Sequence, residues 1–301
     1  MAIIGVARTA EPLECLLNCG LVRHSEIEQL PYEIQEKLKH CQDVHELARI
    51  LLQERVLTDY QASRVEAGWV HGLVLGPYRV LHRLSATGTK AVYKGEHAAT
   101  HQPVVIKVLS YFEHQNEIVQ QRFLTEMHVV AELRHPNIVA ALDSGHQSVP
   151  GQVNLRYFVM EYVPGQDLEE HVKERGPLPI AEACGIALQL AAALAEACKH
   201  QLVHRELTPA NVRLTPHGQV KLLNFGRARN LESKLTEHGT VLGNPAYMAP
   251  EQATDAVTVD SRADIYGLGA TLFWCLTGQP PFPRMRSIAE EVLARRFAPA
   301  P

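Results

Sequence analysis

The sequence predicts an α+β protein with two lobes, the first rich in β-strands and the second rich in helices, preceded by a small all-α module. Three observations predict this arrangement. The start of the chain has apolar residues at helical spacing, short β-like runs follow between Tyr78 and Tyr162, and long apolar helical runs dominate the remainder. We expect the helical module to cover residues 1–72 and the two lobes to cover residues 73–301, with a hinge in the segment Gly68–Pro77.

The predicted helical module contains a weak internal repeat. An apolar helical run, a short turn and a helix-start signal occur twice, about 35 residues apart. Ser25 with Glu28, and Thr58 with Gln61, have the i, i+3 spacing of a capping box, in which two side chains satisfy amide donors at a helix start. The two copies predict a compact bundle that serves either as a packing appendage or as a protein-recruitment module. DNA binding is the least favoured role, because no helix rich in Arg and Lys is apparent.

Short strands and three long helices make up the predicted lobes. One helix is expected among the strands, at Glu117–Leu133, and the second lobe is expected to contain helices at Ile180–Lys199 and Ala263–Leu276. A sheet-rich lobe followed by a helical lobe predicts a cleft between them, where ligands commonly bind. Strands are expected at Tyr78–Leu84, Ala91–Glu96, Val104–Leu109, Tyr157–Tyr162 and Val220–Leu223.

Composition and charge exclude several classes of protein. Of the 301 residues 46% are hydrophobic and 21% are charged, which excludes a disordered or collagen-like chain. A net charge of −4 does not favour nucleic acid or an anionic membrane as a partner. The apolar run Ile180–Lys199 contains Glu182, Gln189 and Glu196, so we expect a buried or amphipathic helix rather than a membrane span. We expect no signal peptide, because no basic region precedes an apolar core at the start of the chain.

The six cysteines show no disulfide spacing, which favours a reduced, cytoplasmic compartment. Four residues of metal-binding type lie near the start of the chain, and their spacing matches no common zinc pattern. We therefore expect no metal site among them. They are Cys15, Cys19, His40 and Cys41.

Several short motifs follow one another in a fixed order in the second part of the chain. Val104-Val105-Ile106-Lys107 ends a predicted strand, and Glu126 lies 19 residues after Lys107 in a predicted helix. The later motifs are His204-Arg205-Glu206-Leu207-Thr208-Pro209-Ala210-Asn211, Asn224-Phe225-Gly226 and Ala249-Pro250-Glu251.

As a set, these motifs resemble those of the eukaryotic-type Ser/Thr protein kinase family, over about Tyr78 to Phe297. The N-terminal extension joined to the first strand is similar to that of bacterial kinases of the planctomycete type. The resemblance implies a bilobal protein-kinase-like fold. Further support comes from His135-Pro136-Asn137-Ile138-Val139, Met160-Glu161-Tyr162-Val163 and Asp264.

The resemblance also assigns roles in a nucleotide site. Lys107 and Glu126 would form the ion pair that holds the α- and β-phosphates, and the alternative is a structural salt bridge between a helix and the sheet. Asn211 would be the amide that ligates a metal ion. The other remnant positions of the nucleotide site are Glu161, Val163 and Asp167.

The glycine-rich loop of the family is not present. Its three glycine positions are occupied by Ser85, Thr87 and Lys90, and Gly88 lies out of register. Glycine is needed there because the backbone must approach the phosphates without a Cβ atom in the way. This loop is therefore expected to bind phosphates poorly.

The positions of the metal ligand and the catalytic base also differ from the family. Asn224 replaces the metal-binding Asp, which removes one negative charge from a site for a hard dication. Glu206 replaces the catalytic Asp and places its carboxylate one methylene further out. Such a displacement costs on the order of a hundredfold in rate. Thr208 replaces a phosphate-neutralising Lys, and Asn244 replaces a Thr before Ala-Pro-Glu.

Two further differences affect the adenine pocket that the resemblance implies. Val105 replaces an Ala above the base and adds two methyl groups. Arg213 occupies the position that normally supplies the apolar floor. A guanidinium there must reach solvent or a partner, because burying it unpaired is costly.

These changes favour a pseudokinase that acts as a signalling scaffold or allosteric partner. We expect no magnesium and at most weak ATP binding. One alternative is a weak or atypical Ser/Thr kinase with Glu206 as base, and another is a metal-independent ATP-binding switch. Expected partners are a protein, such as an active kinase or a signalling protein, or a second copy of the chain. Neither nucleic acid nor a membrane is expected.

The resemblance implies two more features. Arg205 would pair with a phosphate on the segment from Asn224 to Glu251, or else simply pack within its own loop. The phosphate acceptors would be Ser233, Thr236 and Thr240. The segment Arg284–Phe297 resembles the helix that follows the buried helix of the second lobe. Either the second lobe is short or the chain is a fragment of a longer protein, and in both cases we expect an exposed apolar surface.

Overall fold

The structure is a computed structural model of the chain. It confirms the predicted α+β arrangement of a helical start, a sheet-rich N-lobe and a helical C-lobe. The side chains of Thr87, Lys90 and Glu126 lie outside the part that is described, as does the segment expected at Arg284–Phe297. The described residues are 11–87, 90–109, 117–147, 155–225, 229–230, 244–254 and 259–282.

Five short helices form the start of the chain. They surround an apolar core that includes Leu16, Leu38, Leu47 and Leu51, all of them almost fully buried. The helices are α1 (Pro12–Asn18), α2 (His24–Glu28), α3 (Tyr32–Lys39), α4 (Val44–Gln53) and α5 (Asp59–Glu66).

The internal repeat is visible in the turns that follow α1 and α4. In each copy the amide after the turn donates to a helix carbonyl five residues earlier. The amide of Leu21 donates to Leu16 at 3.1 Å, and the amide of Val56 donates to Leu51 at 2.8 Å. The preceding residue adopts a left-handed conformation in both copies, Gly20 with φ +76° and Arg55 with φ +59°. Glycine tolerates this conformation better than arginine, so the two copies share a turn but not the residue that suits it.

One of the two predicted capping boxes is confirmed. Thr58 accepts the amide of Gln61 at 3.3 Å, and the Gln61 side chain accepts the amide of Thr58 at 2.9 Å. The box predicted at Ser25 and Glu28 is wrong, because α2 begins at His24 and Ser25 lies inside it. There the amide of Arg23 donates to the carboxylate of Glu26 at 2.9 Å instead.

A six-stranded sheet follows, in the order β1-β2-β3-β4-β6-β5. The predicted strands are present with shifted ends. The sequence did not predict β5, whose side chains are mostly exposed and lack the apolar alternation of a half-buried strand. The strands are β1 (Val74–Leu75), β2 (Tyr78–Thr87), β3 (Lys90–His97), β4 (Pro103–Leu109), β5 (Ala141–Gln147) and β6 (Leu155–Glu161).

Helix α5 caps the outer edge of β2. The buried Gln61 donates to the carbonyl of Val80 at 2.8 Å, and the hydroxyl of Thr58 donates to the carbonyl of Leu81 at 2.6 Å. A register shift in β2 after Val80 allows two successive carbonyls to be used in this way. The side chains of Thr58 and Gln61 thus have two roles. They cap the start of α5, and they donate hydrogen bonds to carbonyls of β2 that the two-residue strand β1 does not pair with.

Apolar and charged contacts also connect the helices to the sheet. Tyr60 packs against both the helical core and the core on one face of the sheet, and its ring lies 6.0 Å from that of Tyr93. The buried Arg79 of β2 donates to Glu26 of α2 at 2.8 Å and to Glu96 of β3 at 3.0 Å. The described parts of residues 1–120 and 142–162 accordingly form one compact unit. The division at residues 72 and 73 remains a prediction from the sequence.

Gln61→Ala tests the edge contact. We expect the free energy of unfolding to fall by about 1 to 3 kcal/mol, because the carbonyl of Val80 and the amide of Thr58 both lose a buried partner. Urea denaturation followed by circular dichroism measures the change. Gln53→Ala, at the exposed end of α4, is the matched control and should change little. Equal effects of the two substitutions would show that the contact with β2 contributes nothing.

The remaining described residues form a second compact unit, which contains most of α6 and everything after residue 162. It has a three-stranded sheet in the order β10-β9-β7 and a pairing of β11 with β8. Two 3₁₀ turns lie at Pro209–Asn211 and Pro245–Tyr247. The helices are α6 (Glu117–Glu132), α7 (Leu168–Arg175), α8 (Ile180–Lys199), α9 (Pro250–Thr254) and α10 (Arg262–Thr277). The strands are β7 (Gln166–Asp167), β8 (Leu202–Val203), β9 (Val212–Leu214), β10 (Val220–Leu222) and β11 (Arg229–Asn230).

Helix α8 has the bounds that the sequence predicts, and it buries a single face. The buried residues recur every three or four positions, as expected for an amphipathic helix. Among the described residues α8 is the one helix long and apolar enough to cross a membrane. That is weak evidence for a span, because a core helix of a soluble protein passes the same test. Its buried residues are Ala183, Ile186, Leu190, Ala193 and Ala197.

Candidate functional site

Strand β4 divides its side chains between two faces of the N-lobe sheet. Val104, Ile106 and Val108 lie in the apolar core of the face that Tyr60 contacts. Successive side chains alternate, so Val105 and Lys107 lie on the opposite face. Lys107 is only 7% exposed, and its register partners are Val92 on β3 and Phe158 on β6. These partners share the face of Lys107.

The glycine-loop positions lie at the ends of β2 and β3, and these two strands stay paired as far as the two residues that connect them. Ser85 pairs with Val92, and Thr87 pairs with Lys90 across residues 88 and 89, which lie outside the described part. Ser85 is exposed. Because Val92 is also the neighbour of Lys107, the backbone at Ser85 belongs to the same region of the sheet.

The ion pair predicted between Lys107 and Glu126 stays a prediction. Glu126 lies in α6, as expected, but its side chain is outside the described part of the structure. The phosphate acceptors predicted at Ser233, Thr236 and Thr240 are outside it as well. Glu161 ends β6, and Val163 and Asp167 lie in the segment that follows.

The loop His204–Asn211 is held in place by a buried carboxylate on α10. Asp264 accepts the amides of His204 and Arg205, both at 2.8 Å. Burial raises the pKa of Asp264, while the amide bonds from His204 and Arg205 and the charge of Arg205 act in the opposite direction. Arg205 has a left-handed φ of +64°, which costs energy for a side chain of its kind. The bonds to Asp264 stabilise that conformation.

Two neighbours orient the ring of the buried His204. Its Nε2 donates to the carbonyl of Leu223 at 2.9 Å, and its Nδ1 accepts the amide of Glu206 at 3.3 Å. The ring packs edge-on against Phe225 with centroids 4.8 Å apart. Val130 of α6 is also buried.

Glu206, Asn211 and Asn224 form a polar cluster at the end of this loop. The Asn211 amide nitrogen donates to the carbonyl of Glu206 at 2.8 Å. The Asn224 amide nitrogen lies 3.5 Å from Oε2 of Glu206 and 3.4 Å from Oδ1 of Asn211. Both neighbours are acceptors, so the NH₂ group of Asn224 faces them and its oxygen points elsewhere. Asn224 has a left-handed φ of +63°, which asparagine tolerates better than most residues.

Arg213 of β9 binds the main chain of the segment after β6. Its Nε donates to the carbonyl of Val163 at 3.2 Å, and a terminal nitrogen donates to the carbonyl of Gly165. Asp167 is the register partner of Arg213 across β7 and β9, and its Oδ1 accepts the amide of Glu170 at the start of α7. The sequence predicted that Arg213 needs solvent or a partner, and the structure identifies main-chain carbonyls as partners.

Arg205 and Asn244 are engaged in local contacts. Arg205 donates to the carbonyl of Val259 at 3.4 Å, and its own carbonyl accepts Gln252 at 2.8 Å. Asn244 accepts the amide of Ala246 at 3.1 Å and so caps a 3₁₀ turn. A small pocket that is open to solvent lies beside them. It is lined by Arg205, Glu206, Leu207, Thr208, Asn244, Tyr247 and Met248.

Within the described residues, no three His, Cys, Asp or Glu side chains are placed to share a metal ion. All six cysteines belong to this part of the chain, and each is a free thiol. No sequence pattern signals the carbonyl partners of Arg213 or the contact between Asn224 and Asn211. Such contacts depend on how distant segments are placed in space.

Comparison with known proteins decides the family. Residues 78–298 match the family model of the protein kinase domain. The chain belongs to the protein kinase family. It is a member of the eukaryotic-type Ser/Thr branch, as the bacterial Ser/Thr kinases below also indicate. This family membership assigns strands β2 to β6 to the N-lobe and helices α7 to α10 to the C-lobe.

Bacterial Ser/Thr kinases are among the similar proteins. A probable serine/threonine-protein kinase of Clostridium perfringens is 37% identical over 213 residues, which is 70% of this chain and 30% of that protein. The serine/threonine-protein kinase PrkC of Bacillus subtilis is 35% identical over 237 residues, 75% of this chain and 36% of PrkC. PknD of Mycobacterium tuberculosis is 36% identical over 233 residues, 76% and 34% of the two chains. This kinase-family chain thus spans about a third of the length of these relatives.

Proposed function

We propose that this chain is a pseudokinase, a kinase fold that transfers no phosphate and acts as a signalling scaffold or allosteric partner. One observation carries the proposal. The Asn224 amide nitrogen faces Oε2 of Glu206 at 3.5 Å and Oδ1 of Asn211 at 3.4 Å. In the kinase pattern these are the positions of the metal-binding Asp, the catalytic carboxylate and the metal-binding amide.

Mg²⁺ does not fit this cluster. The ion takes oxygen ligands at about 2.0 to 2.1 Å in a near-octahedral shell. Here the hydrogens of the Asn224 amide point to Oε2 of Glu206 and Oδ1 of Asn211, the two oxygens that would face a cation. The positive end of the amide dipole thus occupies the position that a cation would take. One carboxylate, that of Glu206, is the only negative charge among the three side chains. The amide of Asn224 thus stabilises Glu206 without a metal ion.

Substitutions at other positions support the same proposal. The glycine-loop positions Ser85, Thr87 and Lys90 all carry a Cβ atom that glycine lacks. Thr208 cannot neutralise phosphate charge as a lysine would. Arg213 donates to main-chain carbonyls where the family has an apolar floor. Each change weakens a different part of the transfer reaction, so no single reversion restores activity.

We also propose that the chain works through proteins in the cytoplasm. Free thiols and a net charge of −4 support a reduced compartment and do not favour nucleic acid or an anionic membrane. The proposed partner is an active kinase or another signalling protein. A homodimer is the alternative, and analytical ultracentrifugation of the purified chain separates the two.

A thermal-shift experiment with Asn224→Asp tests the proposal. We expect ATP to leave the melting temperature of the wild type unchanged from its value without ATP, in magnesium as well as in EDTA. Asn224→Asp restores a carboxylate beside Glu206 and Asn211, so we expect magnesium alone, without ATP, to raise the melting temperature of this variant. Ligand at about 100 times its dissociation constant adds roughly 2.7 kcal/mol, a shift of a few degrees for a protein of this size.

Asn18→Asp, on the exposed end of α1, is the matched control, because it adds the same charge far along the chain. It should show no magnesium dependence. A magnesium-dependent shift of the wild type, with radiolabelled phosphate transfer that is lost in Lys107→Ala, would establish an atypical kinase with Glu206 as base. An equal wild-type shift with magnesium and with EDTA would establish a metal-independent ATP-binding switch instead. Either result would overturn the proposal.

A further inference from the structure

The segment that follows β6 is joined to β9 by main-chain pairing. We call residues 163–167 the linker segment. Its last two residues form β7, with Gln166 opposite Leu214 and Asp167 opposite Arg213. The pairing places the guanidinium of Arg213 beside the carbonyls at the start of the linker segment. Val163 is one of the remnant positions of the nucleotide site.

Arg213 satisfies two of those carbonyls. Its Nε donates to Val163 at 3.2 Å, and a terminal nitrogen donates to Gly165. Hydrogen bonds from a charged donor are roughly twice as strong as those between neutral groups. The two bonds leave from the fixed fork of one planar group, so they also set the position of the segment relative to β9.

Gly165 shows how closely the linker segment lies on β9. It has φ +112°, and a Cβ atom at that position would lie 2.0 Å from the carbonyl oxygen of Leu214. A residue with a Cβ atom would fit there only if the linker segment or β9 moved. The close approach fixes the carbonyl of Gly165 within reach of the Arg213 side chain.

Asp167 is committed to the same arrangement. Its side chain caps α7 by accepting the amide of Glu170 at 2.8 Å. Three polar groups of the linker segment therefore already accept hydrogen bonds from this protein. Two carbonyls accept from Arg213, and one carboxylate oxygen of Asp167 accepts from the start of α7. A purine base that approached this segment would have to compete with bonds that are already made.

We propose that Arg213 is an internal ligand of the linker segment, which holds the segment on β9 and excludes a purine nucleotide from it. The inference rests on the proposed function and specifies how the adenine side of the site is closed. An apolar residue at this position would release both carbonyls and remove a charge from the adenine floor. Replacing Arg213 by an apolar residue therefore opens the site to the base even when the metal site remains unable to bind magnesium.

Titration with N-methylanthraniloyl-ADP in EDTA tests this inference without involving the metal site. We expect Arg213→Leu to bind the fluorescent nucleotide at least tenfold more tightly than the wild type. Arg213→Met, which keeps the length of the side chain, is a second variant in case the shorter residue impairs folding. Lys221→Leu is the matched control, because Lys221 is the register partner of Arg213 on β10 and its loss removes the same charge.

Hydrogen exchange of the amides in residues 163–167 is a second readout that needs no nucleotide. We expect faster exchange in both Arg213 variants and no change in Lys221→Leu. Equal nucleotide affinity in wild type and variants, or tighter binding by the wild type, would overturn the inference and leave the proposed function standing. Magnesium-dependent phosphate transfer by the wild type would overturn the proposed function, and this assay is independent of the exchange data.

Discussion

Arg79→Met is expected to lower the free energy of unfolding of the N-terminal unit by about 3 to 5 kcal/mol, the usual cost of removing one partner of a buried ion pair. Arg79 is buried in β2 and contacts two carboxylates from different elements, Glu26 of α2 and Glu96 of β3. It also donates to the carbonyl of Leu21 at 3.2 Å. Methionine keeps the apolar stem of the side chain but removes the buried cation from both carboxylates, which keep contacts only with more exposed groups such as Arg23, at 3.2 Å for Glu26 and 3.9 Å for Glu96.

The measurement is urea denaturation with hydrogen exchange of the amides in α2, β2 and β3. Lys37→Met is the control, because Lys37 forms an exposed ion pair with Glu46 at 3.2 Å in the same unit. Exposed pairs contribute little, so this control should behave as the wild type does. A loss as small for Arg79→Met as for Lys37→Met would show that the helices and the sheet do not depend on this pair.

The same ion pair predicts a pH dependence. Burial raises the pKa of Glu96, but the hydrogen bond and charge of Arg79, with His101, outweigh it and hold the pKa below its usual value of 4.5. A carboxyl whose pKa is lowered on folding stabilises the protein above its unfolded pKa, and that stability is lost as the pH falls through the folded pKa. The unfolding free energy of Arg79→Met should therefore fall less steeply below about pH 4.5 than that of the wild type.

Asp264→Ala is expected to destabilise the C-terminal unit by about 2 to 6 kcal/mol, because one buried and one partly buried amide lose their acceptor at about 1 to 3 kcal/mol each. Those amides belong to His204 and Arg205. Arg205 would also lose the bond that stabilises its left-handed backbone. We expect faster hydrogen exchange in residues 203–206 and loss of the defined position of Glu206.

Tryptophan fluorescence reports on this unit when one of the two tryptophans is removed. In a Trp69→Phe background the buried Trp274 of α10 is the remaining probe for urea denaturation. Asp260→Ala is the control, since this exposed carboxylate near the start of α10 pairs with Arg262 at 2.9 Å. If Asp264→Ala unfolds at the same urea concentration as Asp260→Ala, the loop is held by other contacts.

Features that depend on nearby residues could be predicted from the sequence. The helix α8 has the predicted bounds, and Thr58 and Gln61 start a helix as their spacing requires. The prediction at Ser25 and Glu28 was wrong although the spacing is the same. At α2 the carboxylate of Glu26 binds both the amide of Arg23 and the distant Arg79, and only the first of these contacts is local.

The sequence predicts which residue types occupy the candidate site, but it does not predict which groups they contact. The substitutions at Asn224 and Arg213 are visible in the sequence once the kinase resemblance is recognised. Their partners are not, because the amide of Asn224 and the guanidinium of Arg213 bind groups brought close by the fold. The same holds for Asp264, which lies 60 residues from His204 along the chain and 2.8 Å from its amide in space.

The contact of α5 with β2 also bears on how this protein behaves at high concentration. An uncovered strand edge pairs readily with the edge of another molecule, and such pairing grows into aggregates. Gln61 and Thr58 occupy the carbonyls of Val80 and Leu81 through which a second molecule would bind. The helices before residue 73 thus protect the sheet from self-association, and a fragment that begins at β1 would expose the edge that they cover.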